Sequence, residues 1–363
     1  MKSVFLKKRM RNMEASLAAE GLDALLILKE ANQRYLEGFT GDGCFLLVSR
    51  RGNFLMADSR YVEMASHECE SAQIVPHRRP HPPFEKALAG LVREHGFKKL
   101  GFEAVMPYGM YETIAAEIGK DASLKPVSSM VEKIRAHKDD GEIEETASAC
   151  GIADRALMAL LDAVKPGVSE LDVRTELDYR LKKGGAEDAA FNTMVLFGAR
   201  ASQPHANSRA DVKLRAGDFI LIDYGASVNG YKSDTTRTFV MGSASDEQKR
   251  AYNAVLKSQI ESLSMVRPGA NGRELNERAL GVIGEAGFPA FSYGIGHGTG
   301  LEIHEEPFMR QGSDVILSSG MVHTIEPGTY IPGWGGIRIE DTVLVTDDGH
   351  RVLTSFPKDL MEL

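Results

Sequence analysis

The sequence contains little cysteine. Its three residues, Cys44, Cys69 and Cys150, are odd in number, widely spaced and without a CxxC pair. This set does not match the paired cysteines of a disulfide framework or the thiolate spacing of a structural zinc site. We therefore expect free thiols that pack as small apolar groups in a protein of a reducing compartment.

Long apolar runs and blocks of like charge are also missing. Near the start the longest apolar run is Val4 to Leu6, much shorter than a signal peptide core or a membrane span. The 51 acidic and 43 basic residues are mixed along the chain and leave a net charge of −8, so no basic patch marks a nucleic-acid partner. We expect a cytoplasmic protein with no membrane segment and no nucleic-acid partner.

The length and the apolar content favour two globular domains. With 363 residues, 43% of them hydrophobic, the chain can build a core in each. Before residue 131, helical patterns alternate with three short strand-like runs, at 23–29, 43–49 and 53–58, which is typical of a small α/β domain. A long amphipathic helix pattern follows over 137–164. The sequence therefore predicts an α/β domain over 1–130 and a second domain over 131–363.

The second domain contains an internal similarity. The segments that start at Val164 and Val266 both read as a helix ending in a basic residue, Pro and Gly, then a capped helix, then a strand carrying a phenylalanine. The matching pairs are Pro166 with Pro268 and Phe191 with Phe291. Two related halves predict a pseudo-symmetric α+β domain, with helices on one face of a curved sheet and a site where the halves meet. The alternative is that any two helical pairs look alike.

Residues 218–240 form the clearest hairpin pattern of the chain. Apolar and β-branched runs flank Asn229-Gly230, the dipeptide favoured in two-residue type I′ turns. Such a turn pairs Val228 with Tyr231.

This register brings two acidic residues to one face of the hairpin. Asp234 would lie opposite Gly225, two residues from Asp223, and diagonal neighbours of this kind have Cα atoms about 7–8 Å apart. Asp223 also follows a fully apolar run, where a solvated charge is unexpected. We predict that the two carboxylates converge on a shared ion.

A second acidic pair lies in the last part of the chain. Glu326 closes a strand-like run before a Pro-Gly turn, and Glu340 lies within another run at 337–345. Alternation places Arg338 and Glu340 together on the polar face of that strand. Asp341 shares the apolar face, so we expect a structural role for it.

Four converging carboxylates require cations. A pair of like charges about 4 Å apart costs roughly 4 kcal/mol at an effective dielectric constant of 20. Two divalent ions balance the charge of four carboxylates. A single ion leaves an excess of negative charge, which is relieved only if the pKa values of the carboxyl groups rise and some of them are protonated. Carboxylates with one imidazole suit Mn²⁺ or Co²⁺ first, with Zn²⁺ and Fe²⁺ as further candidates.

The stretch GIGHGTGLEIHEEP, at 294–307, contains two histidines seven residues apart. His297 lies between glycines, so its backbone can approach a metal or another strand closely. In an unbroken strand His304 would face the other way, and reaching the same cavity requires a bend between Gly300 and His304. We therefore predict a metal ligand at His297 and a different role for His304.

These motifs resemble the dinuclear site of the pita-bread metallopeptidases, which include methionine aminopeptidase, aminopeptidase P and prolidase. The segments that carry the resemblance are DYG, SDTTRTF, GIGHGTGLEIHE, TIEPG and GIRIED. The segments RYLEGFTG at 34–41 and ADSRY at 57–61 resemble the extra N-terminal domain of the Xaa-Pro peptidases, which methionine aminopeptidases lack. The resemblance implies a pita-bread fold for the second domain.

The resemblance also implies a mechanism. Two divalent ions would share a bridging water or hydroxide, the nucleophile, whose pKa the cations lower. Asp223 and Glu340 would bridge both ions, Asp234 would complete one, and His297 with Glu326 the other. Glu326 would also be the general base for the attacking water.

Further residues are implied to contact the substrate, a short proline-containing peptide. His205 and His304 match family histidines that contact substrate, Arg338 matches an arginine that orients the acids or meets a carboxylate, and Phe191 would line the proline pocket. The resemblance also implies a homodimer. It leaves open whether the enzyme is a Xaa-Pro dipeptidase or an aminopeptidase, and the alternatives are a methionine-type aminopeptidase or a binding protein without catalysis. Trp334, the only tryptophan, either narrows the entrance or covers the hairpin.

Overall fold

The structure is a computed structural model that describes residues 2–291 and 293–363. The chain divides into two compact units, the first ending at Arg135 and the second spanning Ala136–Leu363. The helix Met130–Arg135 belongs to the first unit. Within the described residues, no helix combines the length and the apolarity that crossing a bilayer requires.

The first unit is a mixed sheet with helices packed against it. Its strands are β1 (Ala24–Ile27), β2 (Phe45–Ser49), β3 (Phe54–Asp58), β4 (Gln73–His77), β5 (Lys99–Glu103) and β6 (Ser123–Val127). Its helices are α1 (Lys2–Ala19), α2 (Glu30–Glu37), α3 (Val62–Glu68), α4 (Phe84–His95), α5 (Tyr108–Ile118) and α6 (Met130–Arg135). The strand order is β4-β3-β2-β1-β5-β6, and the three predicted strand-like runs form β1, β2 and β3. The predicted α/β class is confirmed.

In the described part of the second unit, four α-helices pack in two pairs. These are α7 (Asp140–Leu160) with α8 (Glu170–Lys183), and α9 (Asp246–Met265) with α10 (Gly272–Glu285). Reciprocal capping boxes begin α7, α8 and α9, at Asp139 with Glu142, Ser169 with Asp172, and Ser245 with Gln248. The two helical pairs correspond to the two halves of the internal similarity.

Every strand pair described in the second unit is antiparallel. The first half contributes β7 (Asp188–Ala189), β8 (Met194–Phe197), β9 (Phe219–Tyr224), β10 (Ala226–Val228), β11 (Tyr231–Lys232) and β12 (Thr235–Val240). The second contributes β13 (Gly296–Gly298), β14 (Glu305–Met309), β15 (Val322–Ile325), β16 (Gly328–Ile331), β17 (Gly335–Arg338), β18 (Asp341–Val345) and β19 (His350–Val352). The predicted α+β class is confirmed.

Strand β9 is buried on both faces. Ile220 and Ile222 pack in one apolar cluster with α7 and α8, whereas Phe219 and Leu221 pack in another with α9. The side chain that follows this run, at Asp223, therefore lies deep in the domain, and its charge needs a partner there.

The predicted hairpin is confirmed. Val228 pairs with Tyr231, and both turn residues have positive φ, 47° at Asn229 and 78° at Gly230, as a type I′ turn requires. The pairing continues in register to Asp223, which lies opposite Thr236.

The two matching phenylalanines are not in strands, and this part of the prediction was wrong. Phe191 lies in a bend between β7 and β8, and Phe291 lies in an irregular segment before β13. Both side chains instead line one cavity.

The three cysteines are free thiols. Cys44 and Cys150 are buried as expected, whereas Cys69 is partly exposed, which differs from the expectation. Burial raises the pKa of Cys44 to about 11, which makes its thiol a poor nucleophile at neutral pH.

Candidate active site

A cavity of about 530 Å³ lies in the second unit between the two halves. The structure brings all the site residues predicted from the sequence to its wall: Phe191, His205, Asp223, Asp234, His297, His304, Glu326, Arg338 and Glu340. They come from segments spread over most of the second unit, so only the fold assembles them.

The first acidic pair is placed by the hairpin. Asp223 lies near the end of β9, and Asp234 directly precedes β12. Asp234 is 4% exposed, and its backbone is fixed by Thr342, whose hydroxyl donates to the Asp234 carbonyl at 2.8 Å. The two carboxylates therefore reach the cavity from the end of β9 and from the residue before β12.

The second acidic pair lies where strands end. Glu326 follows β15, and Glu340 lies between β17 and β18, which belong to different sheets. The single strand predicted over 337–345 was therefore wrong: it is broken at Ile339 and Glu340. Arg338 and Glu340 nevertheless meet on one side, because the Thr236 hydroxyl donates to Glu340 Oε2 at 2.6 Å and accepts from Arg338 Nε at 2.9 Å.

Asp341 points to a different environment from Glu340. Its carboxylate accepts hydrogen bonds from Arg237, Gln259, Thr354 and Lys358, at 2.6–2.8 Å. Burial opposes the charge of Asp341, but Arg237 and Lys358 lower its pKa below the usual value. Asp341 is thus one centre of a buried ion network and not part of the cavity wall.

Burial and mutual repulsion shift the pKa values of the carboxyl groups in the cavity. Burial and the neighbouring carboxylates raise the pKa values of Asp234 and Glu340 well above their usual range. Burial also raises the pKa of Asp223, although Arg338 contacts its Oδ2 and partly offsets the effect. Burial acts in the same direction on Glu326, but the hydrogen bond with His297 lowers its pKa. A cluster with these properties is stabilised by added positive charge.

His297 is held by glycines and by its own strand. A Cβ atom at Gly296 would lie 2.0 Å from the Thr324 carbonyl oxygen, and one at Gly298 would lie 2.1 Å from that of Glu306. The glycines therefore allow the close approach of the neighbouring chain segments, as the sequence predicted.

The two ring nitrogens of His297 have different partners. Nδ1 lies 3.1 Å from the Gly298 carbonyl oxygen, which can only accept, so Nδ1 donates. Nε2 faces Glu326 Oε1 at 3.3 Å and Asp234 Oδ2 at 3.5 Å. Burial disfavours its charged form, but Glu326 raises the pKa of His297 above the usual value. In the neutral tautomer, the Nε2 lone pair points at the carboxylates.

The chain bends between the two histidines, as predicted. Strand β13 ends at Gly298, the register shifts between His297 and Gly298, and β14 begins at Glu305. The bend brings the rings of His304 and His297 together, with 4.3 Å between their centroids and an interplanar angle of 67°. Partial burial and the neighbouring His297 lower the pKa of His304 below its usual value.

The sequence reasoning missed several residues of the cavity wall: Phe291, Tyr293, Ile303, Phe308, Arg310 and Tyr330. Tyr330 is in contact with a predicted residue, because Arg338 Nη1 donates to its hydroxyl at 2.6 Å. Tyr330 pairs with Gly336 across the hairpin, and a Cβ atom at Gly336 would lie 2.7 Å from the tyrosine ring, so the structure and no local pattern places Tyr330 in the site. Trp334 does not line this cavity. Its ring packs edge-on against the ring of Phe219, with 4.8 Å between the ring centroids.

The residues fit a divalent cation. Ligand atoms of Asp234, His297 and Glu340 lie within 4.8 Å of one another. Asp223 Oδ1 is buried and has no hydrogen-bond partner within residues 2–291 and 293–363. A buried carboxylate oxygen without a donor, beside carboxylates with raised pKa values, is suited to coordinating a cation.

Comparison with known proteins agrees with this geometry. Residues 144–347 match metallopeptidase family M24, and residues 9–137 match the creatinase/prolidase N-terminal domain. The chain is 35% identical over 361 residues to the Xaa-Pro dipeptidase of Pyrococcus horikoshii, covering 98% of this chain and 99% of that protein.

Solved structures of peptidases share the fold of this chain. The Xaa-Pro dipeptidase from Bacillus anthracis has a TM-score of 0.94 at 38% identity, with 99% of this chain and 100% of that chain covered. The X-Pro aminopeptidase from Thermotoga maritima has a TM-score of 0.90 at 31% identity, with 98% and 99% covered. The fold and the carboxylate and imidazole cluster define a metallopeptidase. The chain belongs to metallopeptidase family M24, so the resemblance inferred from the sequence is confirmed.

Proposed function

We propose that this metallopeptidase hydrolyses the peptide bond that precedes proline in short peptides. The single observation that carries the proposal is the meeting of four carboxylates, one metal-ligand imidazole and a cationic Arg338 in one cavity. The relatives named Xaa-Pro dipeptidase and X-Pro aminopeptidase supply the substrate class.

The proposed metal ligands are Asp223, Asp234, His297, Glu326 and Glu340. Four carboxylates balance two divalent ions, and the donor set favours Mn²⁺ or Co²⁺, with Zn²⁺ and Fe²⁺ as further candidates. When bound, such ions lower the pKa of a water and thereby supply the nucleophile at neutral pH.

The other residues act on the water and the substrate. Glu326 lies at the cavity wall, and its carboxylate is proposed to accept a proton from the attacking water as general base. His205 and His304 are proposed to contact the scissile carbonyl and the proline side of the substrate. Arg338, which contacts Asp223, orients that carboxylate, and Phe191 offers an apolar surface for the proline ring.

The two histidines are expected to differ in a metal analysis. His297→Ala removes the proposed ligand, so bound metal and turnover should both fall. His304→Ala should keep the metal and lower kcat by about 10²-fold, the range for a positioned proton or hydrogen-bond donor. Metal content of the purified variants and steady-state kinetics measure both effects. Loss of metal in His304→Ala would contradict this division.

The choice between dipeptidase and aminopeptidase needs a substrate pair. Under Mn²⁺, a Xaa-Pro dipeptide and the matching Xaa-Pro-Xaa tripeptide are compared by kcat/KM. We expect faster cleavage of the dipeptide, because two relatives that cover nearly the whole chain, at 35% and 34% identity, are named Xaa-Pro dipeptidase. Preference for the tripeptide would indicate an aminopeptidase, and cleavage of Met-Ala peptides without proline would contradict the proposal. A homodimer and a cytoplasmic location remain predictions.

A further inference from the structure

A buried ion pair lies behind the cavity wall. Lys138 Nζ lies 2.8 Å from Glu305 Oε1, and the two side chains are 0% and 4% exposed. Lys138 precedes α7, Glu305 begins β14, and 167 residues separate them in the chain. Burying two charges is costly, and replacing such pairs by apolar residues is often neutral or stabilising, so the pair calls for a role other than stability alone.

Glu305 fills the inside of the loop over 299–304. Its Oε2 accepts from the Glu302 backbone N–H at 3.2 Å. A Cβ atom at Gly300 would lie 2.7 Å from Glu305 Oε1, so a larger residue there would displace the carboxylate. The carboxylate thus sets the shape of the loop, and Lys138 sets the position of the carboxylate.

The same loop is tied to the hairpin that carries Asp234. The Lys232 backbone N–H donates to the Gly300 carbonyl at 2.9 Å, and the Thr299 hydroxyl donates to the Lys232 carbonyl at 3.2 Å. The loop therefore spans between the hairpin on one side and the Lys138–Glu305 pair on the other.

His304 is the last residue of this loop. It directly precedes Glu305, its side chain lines the cavity, and it is exposed, whereas Glu305 is buried. Neighbouring side chains thus point in opposite directions, so fixing Glu305 in the interior fixes the direction of the imidazole.

We propose that Lys138 and Glu305 are positioning residues for His304: their ion pair anchors the loop over 299–304 and holds the imidazole against His297 at the cavity. This inference rests on the proposed function only for the contact between His304 and substrate. The anchoring itself is a property of the chain.

The test compares Lys138→Met with the wild-type protein, both loaded with Mn²⁺. Amide hydrogen exchange over 299–304 should become faster, with exchange over 219–224 unchanged. The kcat for a Xaa-Pro dipeptide should fall by about 10- to 100-fold, since a displacement of about 1 Å can cost 10²-fold in rate. KM and metal content should change little. The matched control is Lys182→Met, which removes an ion pair of the same length, 2.8 Å, that is 54% and 67% exposed, and should leave every readout unchanged.

A double-mutant cycle separates positioning from a general structural effect. In a His304→Ala background, Lys138→Met should lower kcat no further, because the group that it positions is already absent. An equal loss in both backgrounds, or unchanged exchange over 299–304, would overturn the proposal.

A second variant covers the case in which one uncompensated buried charge prevents folding. Lys138→Met combined with Glu305→Leu removes both charges and should show the same faster exchange and lower kcat. If this variant kept the wild-type amide hydrogen exchange over 299–304 and the wild-type kcat, the proposal that the ion pair anchors the loop would be contradicted. Faster exchange in a protein whose wild type cleaves no proline peptide would contradict the proposed function and support the anchor.

Discussion

Removal of divalent cations is expected to abolish turnover of a Xaa-Pro dipeptide. The loss should be about 10³-fold or more, since both the activated water and the stabilisation of charge in the transition state disappear. Turnover after chelation and after addition of Mn²⁺ or Co²⁺ measures the effect, and the added ion should restore it.

Asp223→Asn is expected to lower turnover as much as removal of the metal does, without any chelator. The substitution keeps the size of the side chain but removes a charge from a residue whose Oδ1 has no hydrogen-bond partner in the described parts of the chain. The control is Asp188→Asn, an exposed carboxylate paired with Lys182, which should leave kcat and metal content unchanged. Full turnover in a rigorously metal-free preparation would contradict the metal requirement.

The adjacent acidic residues Glu340 and Asp341 are expected to affect different properties, metal binding and turnover for Glu340 and stability for Asp341. Asp341→Asn is expected to lower the free energy of unfolding by about 3–5 kcal/mol, because it leaves Arg237 as an uncompensated buried charge. The guanidinium of Arg237 is 1% exposed and lies 2.8 Å from the Asp341 carboxylate. Urea unfolding of the metal-free protein measures the loss.

Glu340→Gln is the matched comparison. It should lose metal and turnover but keep or increase the stability of the metal-free protein, because burial and neighbouring carboxylates disfavour the charge of Glu340. If Asp341→Asn lost metal with unchanged stability, the roles of the two residues would be reversed.

Local rules predicted the parts of the site that depend on neighbouring residues. The Asn229-Gly230 turn fixed the register of its hairpin, and strand parity separated Asp341 from Glu340. The bend between Gly300 and His304 followed from an odd spacing of histidines. Each of these features depends on dihedral preferences or on side-chain alternation within a few residues, which a sequence displays directly.

Other features depend on contacts between distant segments. No local pattern indicated that Thr236 would hold both Arg338 and Glu340, or that the strand over 337–345 would break between two sheets. The two phenylalanines of the internal similarity were placed in strands, whereas both lie in irregular segments.

By itself the sequence determined the class of the two domains and predicted a cluster of four carboxylates and a histidine that line one cavity, because hydrophobic periodicity, turn chemistry and the number of carboxylates are properties of the chain. Only the tertiary structure decided which oxygen and nitrogen atoms face each other, which acidic residue belongs to an ion network, and that Lys138 reaches Glu305. The physical reason is that these contacts join different segments of the chain, with Arg237 and Asp341 104 positions apart and Lys138 and Glu305 167 positions apart. Their geometry is set by how the helices and sheets pack, which no short segment specifies.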